Sequence, residues 1–375
     1  MTSIEKLLRE LIALPSVNPA FLSSNDPRAG EQRVGDFLAS VAARAGLDIE
    51  FQKVLPSRSN LIARLSPKGR VRQRVLLAPH MDTVVAEDKA FVPVKKGDRL
   101  FGRGACDTKG SIAAMLSALA ELAKDGKRPN ETEFIFAALI DEENAQAGSR
   151  ALADSGLNAD LAIVGEPTEL RVVTAHKGSL WLRLETRGKA AHGSRPELGR
   201  NAVHEMARIV HALETDYARK LKRRKHSLLG SGTINVGTIV GGLQPNIVPD
   251  RCSITIDRRT LPGETETTVR REILDLLRAQ KLKATFTSEK LAPCNALETN
   301  IRLPLVRQFM HSVGQNEPLG VHFFCDAAVL AEAGIPSVVF GPGNIAQAHT
   351  ANEWISLTSL ERAKSMLLRF FRSLS

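Results

Sequence analysis

The chain has 375 residues, 43% of them hydrophobic and 25% charged, which excludes a disordered or fibrous protein and exceeds one comfortable core. No apolar run is long enough to cross a bilayer, and Met1–Arg9 mixes both charges without the apolar core of a signal peptide, so the expected location is cytoplasmic. A formal charge of +10 raises the question of nucleic acid, but the densest basic run, Arg219-Lys220-Leu221-Lys222-Arg223-Arg224-Lys225, has almost no aromatic interleaving beyond Tyr217. That run reads as a solvated helix face or loop. Nucleic acid is kept only as a minor alternative, since a basic surface equally steers small anions toward a cleft.

Taken in order, Ile4, Leu7, Leu8, Leu11 and Ile12 fall at helical spacing before Pro15, and Val34, Phe37, Leu38 and Val41 repeat it before Gly46. Ile49 to Val54, Asn60 to Leu65 and Arg74 to Ala78 read as strands, the last a wholly apolar run that ends abruptly in Pro79-His80-Met81-Asp82. An Ala- and Leu-rich helix from about Ser111 to Lys124 follows the glycine-rich stretch Phe101–Gly110. The apolar strand Thr132 to Ile140 ends in Asp141-Glu142-Glu143, and Asp160 to Val164 ends in Gly165-Glu166-Pro167-Thr168. Strands alternating with helices predict an α/β fold with a mainly parallel mixed sheet.

From about Gly178 the texture changes. Leu180, Leu182 and Leu184 alternate with Trp181, Arg183 and Glu185, as in an antiparallel sheet with one face toward solvent. Helices are expected at Asn201–Leu213 and Thr268–Ala279, and strands at Thr233–Ile239 and Cys252–Arg259, making a separate α+β domain. After about Pro293 buried helices return, with the apolar strand Ser337–Phe340 and then Ala348-His349-Thr350-Ala351-Asn352-Glu353. The expected organisation is 1–177 and 293–375 as two parts of one catalytic domain, with 178–292 inserted between them.

Several motifs fail on inspection. Gly341-x-Gly343 imitates a dinucleotide fingerprint but contains Pro342 and lacks the βαβ context, and Lys109 precedes its glycine instead of following one as a phosphate loop requires. His204-Glu205 has no second histidine, and no Gly-x-Ser-x-Gly elbow occurs. The four cysteines, Cys106, Cys252, Cys294 and Cys325, are scattered without a Cys-x-x-Cys pair, which argues for reduced thiols over disulfides or a thiolate site. Cys106 as a nucleophile has no evident base, and Asp107 beside it would raise the thiol pKa.

What survives is a series of oxygen and nitrogen donors at the ends of apolar strands: His80, Asp107, Glu142 with Glu143, Glu166 and His349. Imidazole with carboxylate is a donor set that zinc accepts. One such residue alone is as readily a capping carboxylate or a satisfied histidine. Five in succession resist that explanation.

These residues sit in Pro79-His80-Met81-Asp82-Thr83, Gly102-Arg103-Gly104-x-x-Asp107-Thr108-Lys109-Gly110, Asp141-Glu142-Glu143, Gly165-Glu166-Pro167-Thr168 and Ala348-His349-Thr350, and in this order they resemble the metallopeptidase M20 family. That group includes acetylornithine deacetylase, succinyl-diaminopimelate desuccinylase, aminoacylase and carboxypeptidases. The central domain adds Ala191-His192-Gly193-Ser194, Pro245-Asn246-Ile247-Val248-Pro249 and Asp257-Arg258-Arg259. The resemblance implies a dizinc-peptidase-type catalytic domain with an inserted ferredoxin-like dimerisation domain, working as a homodimer. It implies two Zn²⁺ per subunit, with Co²⁺ as a substitute: Asp107 bridging, His80 and Glu166 on one ion, Glu143 and His349 on the other. Glu142 would be the general base toward a water shared by the ions, Asp82 would orient His80, and a non-proline cis bond would follow Asp107. His192 would reach the partner subunit's active site and polarise the scissile carbonyl, while Asn246 and Arg259 would hold the substrate. Asp-x-Arg spacing favours Arg259 over Arg258. The implied activity is removal of the acyl group from a small anionic N-acyl amino acid, as in acetylornithine deacetylase; the alternative is a dipeptidase or carboxypeptidase cleaving small peptides. Phe324-Cys325-Asp326 departs from the family's Gly-Thr-Asp and leaves the surroundings of Asp326 open.

Overall fold

Strand Gln73–Ala78 is buried along its apolar half because both faces of a central parallel strand are covered, and that burial is what a continuous apolar run selects. In the computed structural model, which describes residues 3–23, 25–124, 128–288 and 294–374, the chain divides into two compact units. One comprises Met1–Thr174, Thr299–Leu319 and Cys325–Ser375; the other comprises Ala175–Glu298 and Gly320–Phe324. The boundary expected between residues 292 and 293 lies outside the described residues.

The first unit is built on a mixed sheet running Asp48–Leu55, Arg58–Leu65, Thr132–Ala138, Gln73–Ala78, Leu161–Val164, Ser337–Val339 and Val173–His176. Its four middle strands, from Thr132–Ala138 to Ser337–Val339, are parallel, and antiparallel partners flank them on either side. Helix Ile4–Ile12 starts where Ser3 accepts the Lys6 amide at 3.2 Å and buries all five residues of its expected apolar stripe. Helix Lys109–Lys124 is buried nearly all round and packs against the long helix Leu357–Ser373. Phe309 meets Phe340 at 5.2 Å and Phe370 at 4.9 Å between ring centres, and Phe134 meets Phe371 at 4.6 Å, tying the last helix to the sheet. A small sheet of Val94–Lys96, Arg99–Phe101 and Trp354–Ser356 lies outside the sequence expectations, since strands of three residues carry no readable alternation.

The second unit places Thr233–Gly241, Arg251–Thr260, Gly178–Arg187 and Thr285–Ser288 side by side, all antiparallel. With helices Ala202–Ala212 and Glu266–Ala279, the order along the chain is βαββαβ, the ferredoxin-like arrangement. Leu180, Leu182 and Leu184 point into its core with Ile254, Ile256, Ile209 and Ile273. The first helix continues beyond Leu213 through a π-helical turn, Leu213–Tyr217, into Ala218–Lys222. The basic run therefore begins on a helix face, where Lys220 and Arg224 pair with Glu272.

No described helix is long and apolar enough to cross a membrane.

Candidate metal centre

Parallel strands in register end together, so whatever follows each strand emerges on one edge of the sheet. Leu77 pairs with Phe136 and Ala78 with Val164, which delivers His80, Asp141-Glu142-Glu143 and Glu166 to that edge. Gly341 lets the neighbouring strand's exit lie against Glu166: a Cβ there would stand 2.5 Å from the Glu166 carbonyl oxygen and would clash with Ser111 Oγ.

Two groups of donors form on this edge, His80–Asp107–Glu166 and Asp107–Glu143–His349, each with its ligand atoms within 4.8 Å of one another. His80 Nε2 lies 3.1 Å from Asp107 Oδ1 and 3.7 Å from Glu166 Oε1. His349 Nε2 lies 3.3 Å from Asp107 Oδ2 and 3.1 Å from Glu143 Oε2. Asp107 thus presents one oxygen to each group. His80, Asp107 and Glu166 are buried, whereas the His349 side chain is 54% exposed and its backbone is left-handed at φ 61°. The Asp107–Thr108 bond is cis.

Glu142 belongs to neither group. Its carboxylate makes no hydrogen bond to another described residue, while that of Glu143 is engaged by His349. Burial, resisted by His80 and reinforced by Glu166, Asp326 and Glu143, raises the Glu142 pKa well above the usual carboxylate value. Glu166 is raised in the same way, by burial against His80 and with Asp107, Asp326 and Glu143 adding to it. Asp326 is raised to about 6, chiefly by burial. So many carboxylates facing two imidazoles leave an excess of negative charge that cations neutralise, and the donors are the nitrogen and oxygen types suited to zinc. The residues present fit a pair of such ions.

Asp82 does more than face His80. Its backbone carbonyl lies 3.0 Å from His80 Nδ1, closer than its Oδ1 at 3.5 Å. Its carboxylate accepts the backbone N–H of Glu142 and of Glu143, both at 3.1 Å, and the Asn18 amide at 2.8 Å. One buried carboxylate therefore sets the peptide that carries both glutamates.

A family model described as Peptidase family M20/M25/M40 matches residues 76–373. The chain belongs to this family. It is a metal-dependent hydrolase of amide or peptide bonds. An acetylornithine deacetylase of Myxococcus xanthus is 32% identical over 352 residues, covering 89% of this chain and 90% of the relative. The fold is shared with aminopeptidase PepT of Bacillus cereus (TM-score 0.79, 21% identity, 100% and 99% of the two chains). It is shared as well with a dinuclear metal-binding M20 peptidase of Bacillus subtilis (TM-score 0.72, 13% identity, 99% and 97%).

The second unit of this M20 hydrolase holds the remaining expected residues. His192 is exposed, and its Nδ1 accepts both the Ser194 N–H at 3.2 Å and the Ser194 hydroxyl at 2.7 Å. The ring proton is thereby assigned to Nε2, an outward-facing donor. Asn246 is adjacent, its carbonyl accepting the Gly193 amide at 2.7 Å. Arg259 is partly exposed, held by Asp257 at 3.0 Å with its guanidinium 5.7 Å from the centre of the Phe324 ring. Arg258 is fully buried, with one guanidinium nitrogen 2.8 Å from both Glu264 oxygens, so of the two arginines only Arg259 is accessible.

Asp326 accepts Ser149 Oγ at 2.6 Å and Gln146 Nε2 at 3.3 Å, an anchor between helices Ala147–Asp154 and Ala327–Glu332. Cys106 is buried with its thiol pKa pushed up by burial, Glu353 and Asp107, in accord with the rejection of a nucleophilic role. Asn18, Arg103 and Glu353 escaped sequence reasoning. Arg103 lies inside the matched motif Gly102–Gly110 and Glu353 three residues beyond Ala348-His349-Thr350, and that proximity was the available signal.

Proposed function

We propose that this chain is a cytoplasmic dizinc amidohydrolase that removes the acyl group from a small anionic N-acyl amino acid, in the manner of acetylornithine deacetylase, as a homodimer. The observation that carries the reading is the sharing of Asp107 by two donor groups, with Glu142 beside them and in neither. The deacetylase relative matched over nine-tenths of its length supports the acyl-amino-acid class. Four buried cysteines outside any disulfide suit a reducing compartment.

His80 and Glu166 would hold one ion, Glu143 and His349 the other, and Asp107 both. When bound, such a pair lowers the pKa of a shared water and stabilises negative charge developing on the carbonyl oxygen. Glu142, whose carboxylate has no hydrogen-bond partner among the described residues, takes the proton from the attacking water and returns it to the leaving amine. Asp82 keeps Glu142 and Glu143 in place through their amides, so that one faces the water and the other stays with His349. His192 of the partner subunit would donate its Nε2 proton to the scissile carbonyl. Arg259, a planar fork with room to accept a ligand, suits the substrate's carboxylate, with Asn246 near His192.

The test uses protein freed of metal with a chelator and reloaded with Zn²⁺ or Co²⁺, assayed on acetyl, succinyl and formyl amino acids and on free-amine dipeptides. Activity is expected to vanish with the chelator, return with metal and favour N-acyl amino acids. Glu142→Gln should retain both ions and lose turnover by about 100-fold or more. Chelator-insensitive hydrolysis, or an active Glu142→Gln, refutes the mechanism, and a preference for dipeptides refutes the substrate class.

A further inference from the structure

Glu353 is 3% exposed, lies four residues after His349, and its carboxylate is a member of neither donor group. Its Oε1 accepts the backbone N–H of Cys106 at 2.7 Å and of Asp107 at 3.0 Å. Its Oε2 accepts the backbone N–H of Gly104 at 2.9 Å and the Arg103 guanidinium at 2.7 Å. Gly104, at φ 80°, turns the loop so that these amides converge, and convergent amides make an anion-binding nest that is costly to leave empty when buried. The nest here is filled by a side chain from the far end of the sequence. The antiparallel pairing of Trp354 with Phe101 brings the two segments together, and Gly102 N–H donates to the Glu353 carbonyl at 3.0 Å. Arg103 completes the link by donating to the Thr350 carbonyl at 3.1 Å, next to His349.

This arrangement bears unequally on the two donor groups. His80 and Glu166 leave adjacent strands of the sheet and are buried, so their separation is set by strand pairing. His349 sits on an exposed loop in a left-handed conformation, and the Arg103–Glu353 link is a side-chain tie between that loop and the Asp107 segment. We propose that Glu353, together with Arg103, is a positioning residue that holds Asp107 and His349 at ligand spacing and so governs the affinity of the Asp107–Glu143–His349 group for its ion. The inference rests on the dinuclear reading above.

The experiment is a calorimetric titration of metal-free wild type, Glu353→Gln and Arg103→Lys with Co²⁺, with the visible Co²⁺ spectrum and far-UV circular dichroism recorded alongside. Glutamine keeps the shape but turns an NH₂ donor against other donors; lysine keeps the charge but loses the fork that spans Glu353 and Thr350, and it keeps the test available should the first variant fail to fold. Wild type is expected to bind two ions. The variants should keep their secondary structure and one affinity within a few-fold, while the other weakens about 10- to 100-fold, the range typical of losing a group that orients a ligand. Both affinities unchanged, or both weakened equally, would overturn the proposal and leave Glu353 as a structural filler of the nest. Wild type binding fewer than two ions would instead sink the dinuclear reading, and this inference with it.

Discussion

Replacing Asn18 with alanine probes the scaffold behind the glutamate pair without touching a proposed ligand. The Asn18 amide is fully buried and donates to Asp82 Oδ2 at 2.8 Å and Asp141 Oδ1 at 3.0 Å, while its oxygen accepts the Ala20 N–H at 3.0 Å. Arg58 continues the network by pairing with Asp141 at 3.0 Å and Glu31 at 2.6 Å. A hydrogen bond to a charged group contributes about 1.5–3 kcal/mol, and two such bonds vanish together, so Asn18→Ala should cost the first unit about 3–6 kcal/mol. Asn18→Asp should cost more at neutral pH, because it places a third carboxylate between two others with no donor left to separate them. The chain has two tryptophans, and in a Trp181→Phe background only Trp354 remains, which lies in the first unit. Urea unfolding of the metal-free protein followed by Trp354 fluorescence therefore reads the affected unit directly. A loss below about 1 kcal/mol for Asn18→Ala, the net worth of one ordinary hydrogen bond, would refute the argument that Asn18 separates the two buried carboxylates.

The neighbouring arginines should part company: Arg258→Met breaks a buried pair with Glu264 and should lower stability by about 3 kcal/mol or more, whereas Arg259→Met should raise KM with little change in melting temperature. Equal effects of the two on KM would contradict the assignment. His176 is fully buried, its Nδ1 bonded to the Lys177 carbonyl at 3.0 Å, and burial lowers its pKa to about 4. With an unfolded value near 6.5, the unfolded chain binds the extra proton between the two, so the His176 contribution is present above about pH 6.5 and is lost as pH falls toward 4, amounting to about 3 kcal/mol. His176→Gln should flatten that part of the stability profile, and an unchanged slope in urea unfolding across this range would rule the contribution out. All four thiols are buried, so Ellman's reagent should find almost none in the native protein and four after denaturation; one fast thiol in the folded state would contradict the packing.

His80, Glu142, Glu143 and Glu166 were legible because each closely follows its strand: an apolar run that stops in an acid or a histidine is visible within about ten residues, and parallel register then gathers the ends, whereas Asp107 and His349 lie on turns outside the strands, and the expectation that they too end apolar strands does not hold. The same logic recovered the alternation of Leu180, Leu182 and Leu184 and the apolar stripe of helix Ile4–Ile12. Asn18 and Glu353 were not legible, because their partners lie 64 residues away at Asp82 and 250 residues away at Arg103, and no periodicity announces a buried polar pair. The Arg258/Arg259 ambiguity had the same root. Which of two adjacent arginines is swallowed by Glu264 depends on the face of strand Arg251–Thr260, and three consecutive charged residues, Asp257-Arg258-Arg259, do not display that face.

The pairing of Arg103 with Glu353 also has a consequence for biosynthesis. A ribosome that has made His80, Asp107, Glu143 and Glu166 must still produce the whole of Ala175–Glu298 before His349 and Glu353 exist. Until then the amides of Gly104, Cys106 and Asp107 have no carboxylate to converge on, and the second donor group is one histidine short. The nascent chain can therefore offer at most the His80–Asp107–Glu166 set. Both donor groups of the proposed dinuclear site are thus complete only in a chain that is nearly finished.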